Sequence, residues 1–397
     1  MATFNLTTAS GLFKRNYLKY SENMYNSQNV TDARIKKLND FTGDGLYMAI
    51  PLSFSGSVGS GSLPTASVAT YSQAVISSKK VYGTALIDRE TIKASANDEG
   101  SFVRGLKEVV KKTVESYARN ASRILFGTGD GSLGTTSGTS GPNPYVLTLD
   151  AGYNEANFEE NDIINVETGN TDPFRIDAVA PQTDGTLDIT VTRLSGSQTP
   201  DGTDELFMQN SEDADPHGLK NVLDATSSTL YSISVARRWQ ATQQDASDTA
   251  LTPELMNDVM LAVDRKFGKS PNLIVTSHTQ FGKLLNIIED QKRYPLGPRY
   301  GSDELKAKIS WSGLEFMSIA GAVPIVPDRF CDQDRMYFLN EDFIERHHRP
   351  EGVTWFDDDG TVFLREASAD SYSARYGGYW QNFIRPTAHG VLTSLAV

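Results

Sequence analysis

Cysteine is almost absent: 397 residues include only Cys331. A single thiol excludes an intramolecular disulfide framework and a cysteine-rich zinc site, and it suits a reducing compartment. Histidine is also scarce. His217, His278, His347, His348 and His389 show no His-Glu-x-x-His or similar ligand spacing, so they read as surface or capping residues and no metal is expected. No run approaches the 18 or so consecutive apolar residues of a membrane helix, so no membrane contact is expected. The start, Met1-Ala-Thr-Phe-Asn-Leu-Thr-Thr, lacks a basic stretch followed by an apolar core. The chain is therefore expected to be soluble and intracellular when made. The Asn-x-Ser/Thr triplets at Asn5, Asn29 and Asn120 then read as chance matches.

Positive charge is in deficit. Lys plus Arg number 37 against 50 Asp plus Glu, a net charge of −13, which argues against a generic nucleic-acid binder. The deficit is local. Residues 127–216 carry 17 acidic groups and only Arg175 and Arg193 as basic ones, a net −15, while the other 307 residues hold 35 basic and 33 acidic groups. That segment is not expected to touch a phosphate backbone. It reads as a solubilising surface module, with cation binding as the sharper alternative.

Apolar residues are plentiful enough, at 39% with 22% charged, for packed cores in two or three structural units. Residues 1–40 are too thin in apolar groups to bury a core alone and need another surface, such as a neighbouring chain. Leu46, Met48, Ile50, Leu52 and Phe54 alternate as a strand. A Gly/Ser-rich tip follows over 53–65, then β-formers from Val68 through Val75-Ile76 to Val81-Tyr82. The whole reads as a long hairpin that cannot stand alone in water.

The strongest helix pattern spans 98–126. Asp98 is a candidate cap, apolar residues from Phe102 to Leu125 recur every three or four positions, and Gly127 is a candidate stop. Its other face carries Arg104, Lys107, Lys111, Lys112, Arg119 and Arg123 against Glu108 and Glu115; it is expected to be solvated, with contact to an acidic partner or nucleic acid as the alternative. Residues 145–209 show weak alternation cut by turns at Asp184-Gly185 and Asp201-Gly202, a small sandwich or barrel. Beyond 217 the texture becomes mixed α/β. Thr252-Pro253-Glu254 opens a helix that Gly268 ends, Leu273–Val275 is a buried strand, and Ser277 caps a second helix. Strands follow at 323–327, 336–339, 372–379 and 390–397.

Chemical motifs are weak. Gly129-Asp-Gly131-Ser-Leu-Gly134 matches a dinucleotide-loop spacing, but a helix precedes it where a strand is required. Asp357, Asp359, Gly360 and Glu366 fall on calcium-loop positions, yet Trp355 stands at the first ligand position, so a tight hairpin turn is favoured. His347 and His348 would point opposite ways on a strand. Cys331 has no signature of a nucleophile, and no general base with an orienting partner stands out. No catalytic, cofactor-binding or metal-binding residue is therefore nominated.

The order of these pieces, together with several local patterns, resembles one family. Val81-Tyr-Gly-Thr-Ala-Leu-Ile-Asp-Arg-Glu, Ala94-Ser-Ala-Asn-Asp, Phe126-Gly-Thr-Gly-Asp-Gly and His217-Gly-Leu-Lys-Asn-Val-Leu are similar to segments around the spine helix of tailed-bacteriophage major capsid proteins. Thr276-Ser-His-Thr-Gln-Phe-Gly-Lys-Leu-Leu, Gly321-Ala-Val-Pro-Ile-Val-Pro and Arg385-Pro-Thr-Ala-His-Gly-Val-Leu are similar to their axial-domain and C-terminal strands. The resemblance spans nearly everything except about 135–215.

It implies an α+β fold of the Hong Kong 97 type, divided into an N-terminal arm (1–44), an extended hairpin loop (45–90), a peripheral domain with the spine helix (91–134), an acidic all-β insertion (135–216), an axial α/β domain (217–340) and closing peripheral strands (341–397). It implies a non-enzymatic shell protein that assembles with itself into hexamers and pentamers around double-stranded DNA, in a virion capsid built in the host bacterial cytoplasm. A separate scaffolding protein, a portal and a decoration protein are the implied partners, because the hairpin begins too early for a fused scaffold. The family's lysine-to-asparagine crosslink is not expected, since Lys79 and Lys80 lie at the hairpin base. Two alternatives remain open: an encapsulin-like cargo compartment, and a hydrolase-like α/β enzyme with a β accessory domain.

Overall fold

The apolar repeat at 98–126 folds as one helix, Glu99–Phe126, in a computed structural model that describes residues 30–53, 70–90, 99–226, 229–235, 238–291, 314–318, 321–357, 360–366 and 369–397. The candidate cap Asp98, most of the arm and the hairpin tip lie outside the described residues. Gly127 ends the helix, donating its N–H to Ile124 O at 3.1 Å. Val110, Val114, Tyr117, Ala121 and Ile124 form its buried stripe, packed on Val81 and Ala85 of the strand Lys79–Asp88 and on Ala374, Tyr376 and Trp380 of the strand Ser371–Ile384. Gly83 sits under the helix. A Cβ there would lie 3.2 Å from the Thr113 side chain and carbonyl, so any larger residue would push the helix away.

Two compact units share the chain. The first takes residues up to Ser132, Asn210–Trp239 and Ile344–Arg385. Its sheet is built around the 14-residue strand Ser371–Ile384, which pairs antiparallel with Ile344–His348, Thr354–Trp355, Leu364–Arg365 and Lys79–Asp88. The strand Lys36–Leu38 adds parallel to Ile344–His348. Leu46–Ser53 and Thr70–Ile76 form a separate two-stranded ribbon. The expected hairpin is thus shorter than its sequence pattern. Its return strand stops at Ile76, and Lys79–Asp88 leaves for the larger sheet. The reason is burial: Val81 and Ala85 find cover under the long helix that a lone ribbon could not supply.

The second unit takes Leu133–Gln209, Gln240–Phe343 and Pro386–Val397. Its acidic stretch closes into a barrel of Ser132–Ser140, Tyr145–Leu149, Ile163–Val166, Pro173–Pro181, Leu187–Arg193 and Glu205–Met208. Leu147, Leu149, Ile164, Val166, Phe174, Ile176, Ile189, Val191 and Leu206 fill it, while most charged residues between them are exposed or half-exposed and Asp204 is buried. Closure removes the free strand edges that a small sheet would expose.

Beside it, a mixed sheet runs in the order Thr242–Thr249, Gly390–Leu395, Met336–Leu339, Leu273–Thr276, Gly321–Pro327, Leu314–Ser318. The central strands Leu273–Thr276 and Met336–Leu339 are buried throughout, as their unbroken apolar runs require. Helix Pro253–Phe267 packs Met256, Val259, Met260 and Val263 into this core. Thr252 Oγ1 accepts from Leu255 N at 3.3 Å at one end, and Gly268 takes a left-handed φ of 65° at the other. The helix His278–Gln291 opens with Ser277 Oγ accepting from Gln280 N at 3.2 Å.

The partition differs from the expected boundaries at two places. Residues 210–239 group with the long helix, because the His217 backbone is held by Gln381 and Asn382 of Ser371–Ile384. Pro386–Val397 groups with the mixed sheet, because Gly390–Leu395 pairs with Thr242–Thr249 and Met336–Leu339.

Candidate functional site

The ribbon Leu46–Ser53/Thr70–Ile76 leaves much of its surface open. Directly paired residues share a face, and Tyr47↔Val75, Ala49↔Gln73 and Pro51↔Tyr71 line one side. Tyr47 is 53% and Tyr71 63% exposed, and that side carries no charged residue. On the opposite side Leu46, Met48 and Ile50 are half-buried, while Ala74 and Ile76 are fully covered. Among the described residues the ribbon is held at its Ile76 end. There Val75 N donates to Tyr231 O at 3.0 Å, and Gln381 Nε2 donates to Ser77 O at 3.3 Å. A second open surface lies on the sheet side turned away from the long helix. Leu86 and Leu364, 64% and 40% exposed, both sit opposite Ser373. Tyr82 on the same side meets Phe356 and Tyr379 edge-on, at 5.7 and 6.3 Å between centroids.

Beneath these surfaces the first unit holds a dense buried polar network. Arg346 Nη1 lies 2.5 Å from Asp32 Oδ1, and both side chains are sealed from solvent. Arg346 Nε donates to Asn382 Oδ1 at 2.8 Å, and its guanidinium stacks 4.1 Å above the Trp380 ring. Trp380 Nε1 donates to the Tyr117 hydroxyl at 2.9 Å; burial pushes that phenol's pKa well up. Asn382 Nδ2 then donates to His217 O at 2.8 Å. The network links the segment after residue 30, the sheet, the long helix and the 217–221 turn. Phe41, fully buried, donates its N–H to His348 O at 3.1 Å and completes the attachment of the arm's base.

The long helix's basic face is not wholly solvated, as its pattern suggested. Arg123 is buried and pairs with Asp215 at 3.3 Å. Burial raises the Asp215 pKa even though Arg123 opposes the shift. Lys111 and Lys112 pair with Glu115 on the half-exposed side. The Gly129–Gly134 motif serves the same corner. Gly131 has φ +90°, and a Cβ there would fall 2.3 Å from Ser211 O, so the glycine lets the chain's return at 210–213 pass closely. Asp213 N donates to Asp130 O at 2.6 Å.

The histidines depart from their expected surface placement. His347, His348 and His389 are 1%, 6% and 0% exposed. His347 Nδ1 lies 2.7 Å from Asp40 Oδ1, while its neighbour His348 sits 6.1 Å from the Trp380 ring. Burial, reinforced by Arg346 and Lys37, pulls the His348 pKa to about 3; burial alone does the same at His389. His389 Nδ1 accepts from Asn340 N at 3.0 Å, so its proton sits on Nε2. Polar residues on strands sandwiched between apolar layers gave no sign of this in sequence. Cys331 is fully buried, with its pKa raised by burial first and by Asp332 and Asp328 next. Gly360 N donates to Asp357 O at 2.7 Å, with φ +77° at Gly360. The expected turn's centre, residues 358–359, lies outside the described residues. Among the described residues no three His, Cys, Asp or Glu side chains converge as a metal site.

No family model matches the chain, and no curated protein does. Solved structures match along most of its length. The cyanophage A-1(L) capsid asymmetric unit aligns over 92% of this chain and 91% of that one at 12% identity, with a TM-score of 0.56. The fold is that of phage capsid proteins. The sequence resemblance to the Hong Kong 97 type is thereby met at the level of fold. A virus-like particle from Pyrococcus furiosus covers 96% of this chain and 99% of that one at 9% identity and a TM-score of 0.44. The holo-SrpI encapsulin complex from Synechococcus elongatus covers 82% and 78% at 8% identity and 0.41.

Proposed function

We propose that this chain is a major capsid protein that assembles with itself into a closed icosahedral shell enclosing double-stranded DNA. The observation that carries the reading is the capsid fold combined with a ribbon whose Tyr47 and Tyr71 are exposed on one face and whose Leu46, Met48 and Ile50 are only half-buried on the other. Covering that ribbon with a neighbouring copy would contribute about 2.5 kcal/mol per 100 Å² of apolar area. Repetition over a symmetric lattice turns modest interfaces into a stable container. The role is structural rather than catalytic. The acidic barrel belongs on the outer surface, away from phosphate, and a separate scaffolding protein and a portal complete the assembly in the host cell.

Electron microscopy of the expressed chain tests the reading. Closed shells of uniform diameter are expected, with barrels projecting outward in a three-dimensional map. A persistent monomer under assembly-promoting conditions refutes it. Nuclease-protected DNA in particles from infected cells separates a genome container from a protein-cargo compartment.

A further inference from the structure

The barrel carries one side chain that does more than its own turn requires. Asn154, 7% exposed, lies between the second and third barrel strands. Its Oδ1 accepts from Ala156 N at 2.9 Å and caps the short helical turn Glu155–Asn157. Its Nδ2 donates twice outside the barrel, to Arg329 O at 2.5 Å and to Cys331 O at 2.7 Å. A primary amide has two N–H donors and a carbonyl acceptor, and here both functions are used at once. Serine or aspartate would supply the cap, but neither supplies both donors.

The accepting carbonyls belong to a loop, residues 328–335, that is itself held in place. Asp328 N donates to Thr276 O at 2.9 Å, and Phe330 N to Asp328 Oδ1 at 3.0 Å. Gln333 O accepts from Gln280 Nε2 at 3.0 Å and from Ser277 Oγ at 3.3 Å, and Asp334 O accepts from Leu395 N at 2.9 Å. Further close approaches join the barrel to the seat and to the C-terminal end. Gln333 N donates to Gly152 O at 2.8 Å. Gly152 has φ +110°, and a Cβ there would lie 3.2 Å from Asp334 Cγ. At Gly185 a Cβ would lie 3.1 Å from Val397 Cγ1.

We propose that Asn154 is a positioning residue that locks the acidic barrel onto the 328–335 loop, so that barrel and mixed sheet move as one rigid body instead of the barrel swinging on its two chain connections. Three hydrogen bonds cross the seat, and it is braced by the helix start at Ser277 and by the C-terminal strand. The barrel's charge is therefore presented at a fixed place on that body. This inference does not depend on the assembly reading.

Residue-resolved amide hydrogen exchange on the full chain tests it, using Asn154→Asp. That variant keeps the acceptor for Ala156 N and turns the two donors into acceptors that face carbonyls. Exchange at Gln333 N–H is expected to rise about tenfold or more, while Thr136 and Ile176, whose N–H groups bond inside the barrel to Asp204 O and Asp162 O, keep their protection. Unchanged protection at Gln333 overturns the lock. Joint loss at Gln333, Thr136 and Ile176 also overturns it, by making Asn154 a support of the barrel fold alone. Should Asn154→Asp not fold, Asn154→Ser keeps an acceptor for the cap and removes both amide donors without adding charge. It is expected to release Gln333 in the same way, and retained protection there refutes the proposal.

Discussion

Buried polar side chains set the acid behaviour of this molecule. His348 and His389, each with a pKa of about 3 in the folded state, are neutral there but bind a proton in the unfolded chain below about pH 6.5. The unfolded state thus holds more protons between those values. Stability contributed by their neutrality is present above pH 6.5 and is lost as pH falls toward 3. Acid titration of the unfolding midpoint should show this loss, and His389→Gln should flatten it. Asp32→Ala leaves Arg346 buried without its carboxylate. A loss of about 3–5 kcal/mol is expected in denaturant unfolding. None of these roles was legible beforehand. Asp32, Arg346 and His389 look like ordinary polar residues until packing layers close over them, and burial of a polar group depends on what the rest of the chain lays on top.

Elements were more readable where period and punctuation agree. The long helix, its stop at Gly127, and the helix bounded by Thr252 and Gly268 follow from apolar spacing and cap chemistry, which act within a few residues. The ribbon shows the limit. Val81, Ala85 and Ile87 continue the alternation begun at Thr70–Ile76, so sequence extends the hairpin across them. Only the competing sheet, with the long helix above it, draws Lys79–Asp88 away. Gly218 illustrates a constraint of the same long-range kind. A Cβ there would fall 2.3 Å from Gly127 O and 2.6 Å from Ile124 O at the end of the long helix. Gly218→Ala should lower stability by about 1–3 kcal/mol, read from the urea midpoint.

At the scale of the whole molecule, the proposed shell would draw on the exposed ribbon rather than on the packed cores. Replacing Tyr47 and Tyr71, both more than half exposed, with serine should shift monomer stability by no more than about 0.5 kcal/mol. The same double variant should raise the concentration at which shells form, measured by light scattering. If shells form at the unaltered concentration, the ribbon's exposed face is not an assembly surface. Composition already announced the other molecular feature, an acidic module against a nearly neutral body, because charge is a sum over residues and needs no geometry. Helices, the alternating strands and the module's all-β character were likewise local matters of period and turn chemistry. Closure of that module into a barrel, the transfer of Gly390–Leu395 to the mixed sheet and the seat under Asn154 were settled by pairings between residues far apart in the chain. Several partners were open to each segment, and the choice fell to whichever arrangement buried the most apolar surface while leaving the backbone bonded.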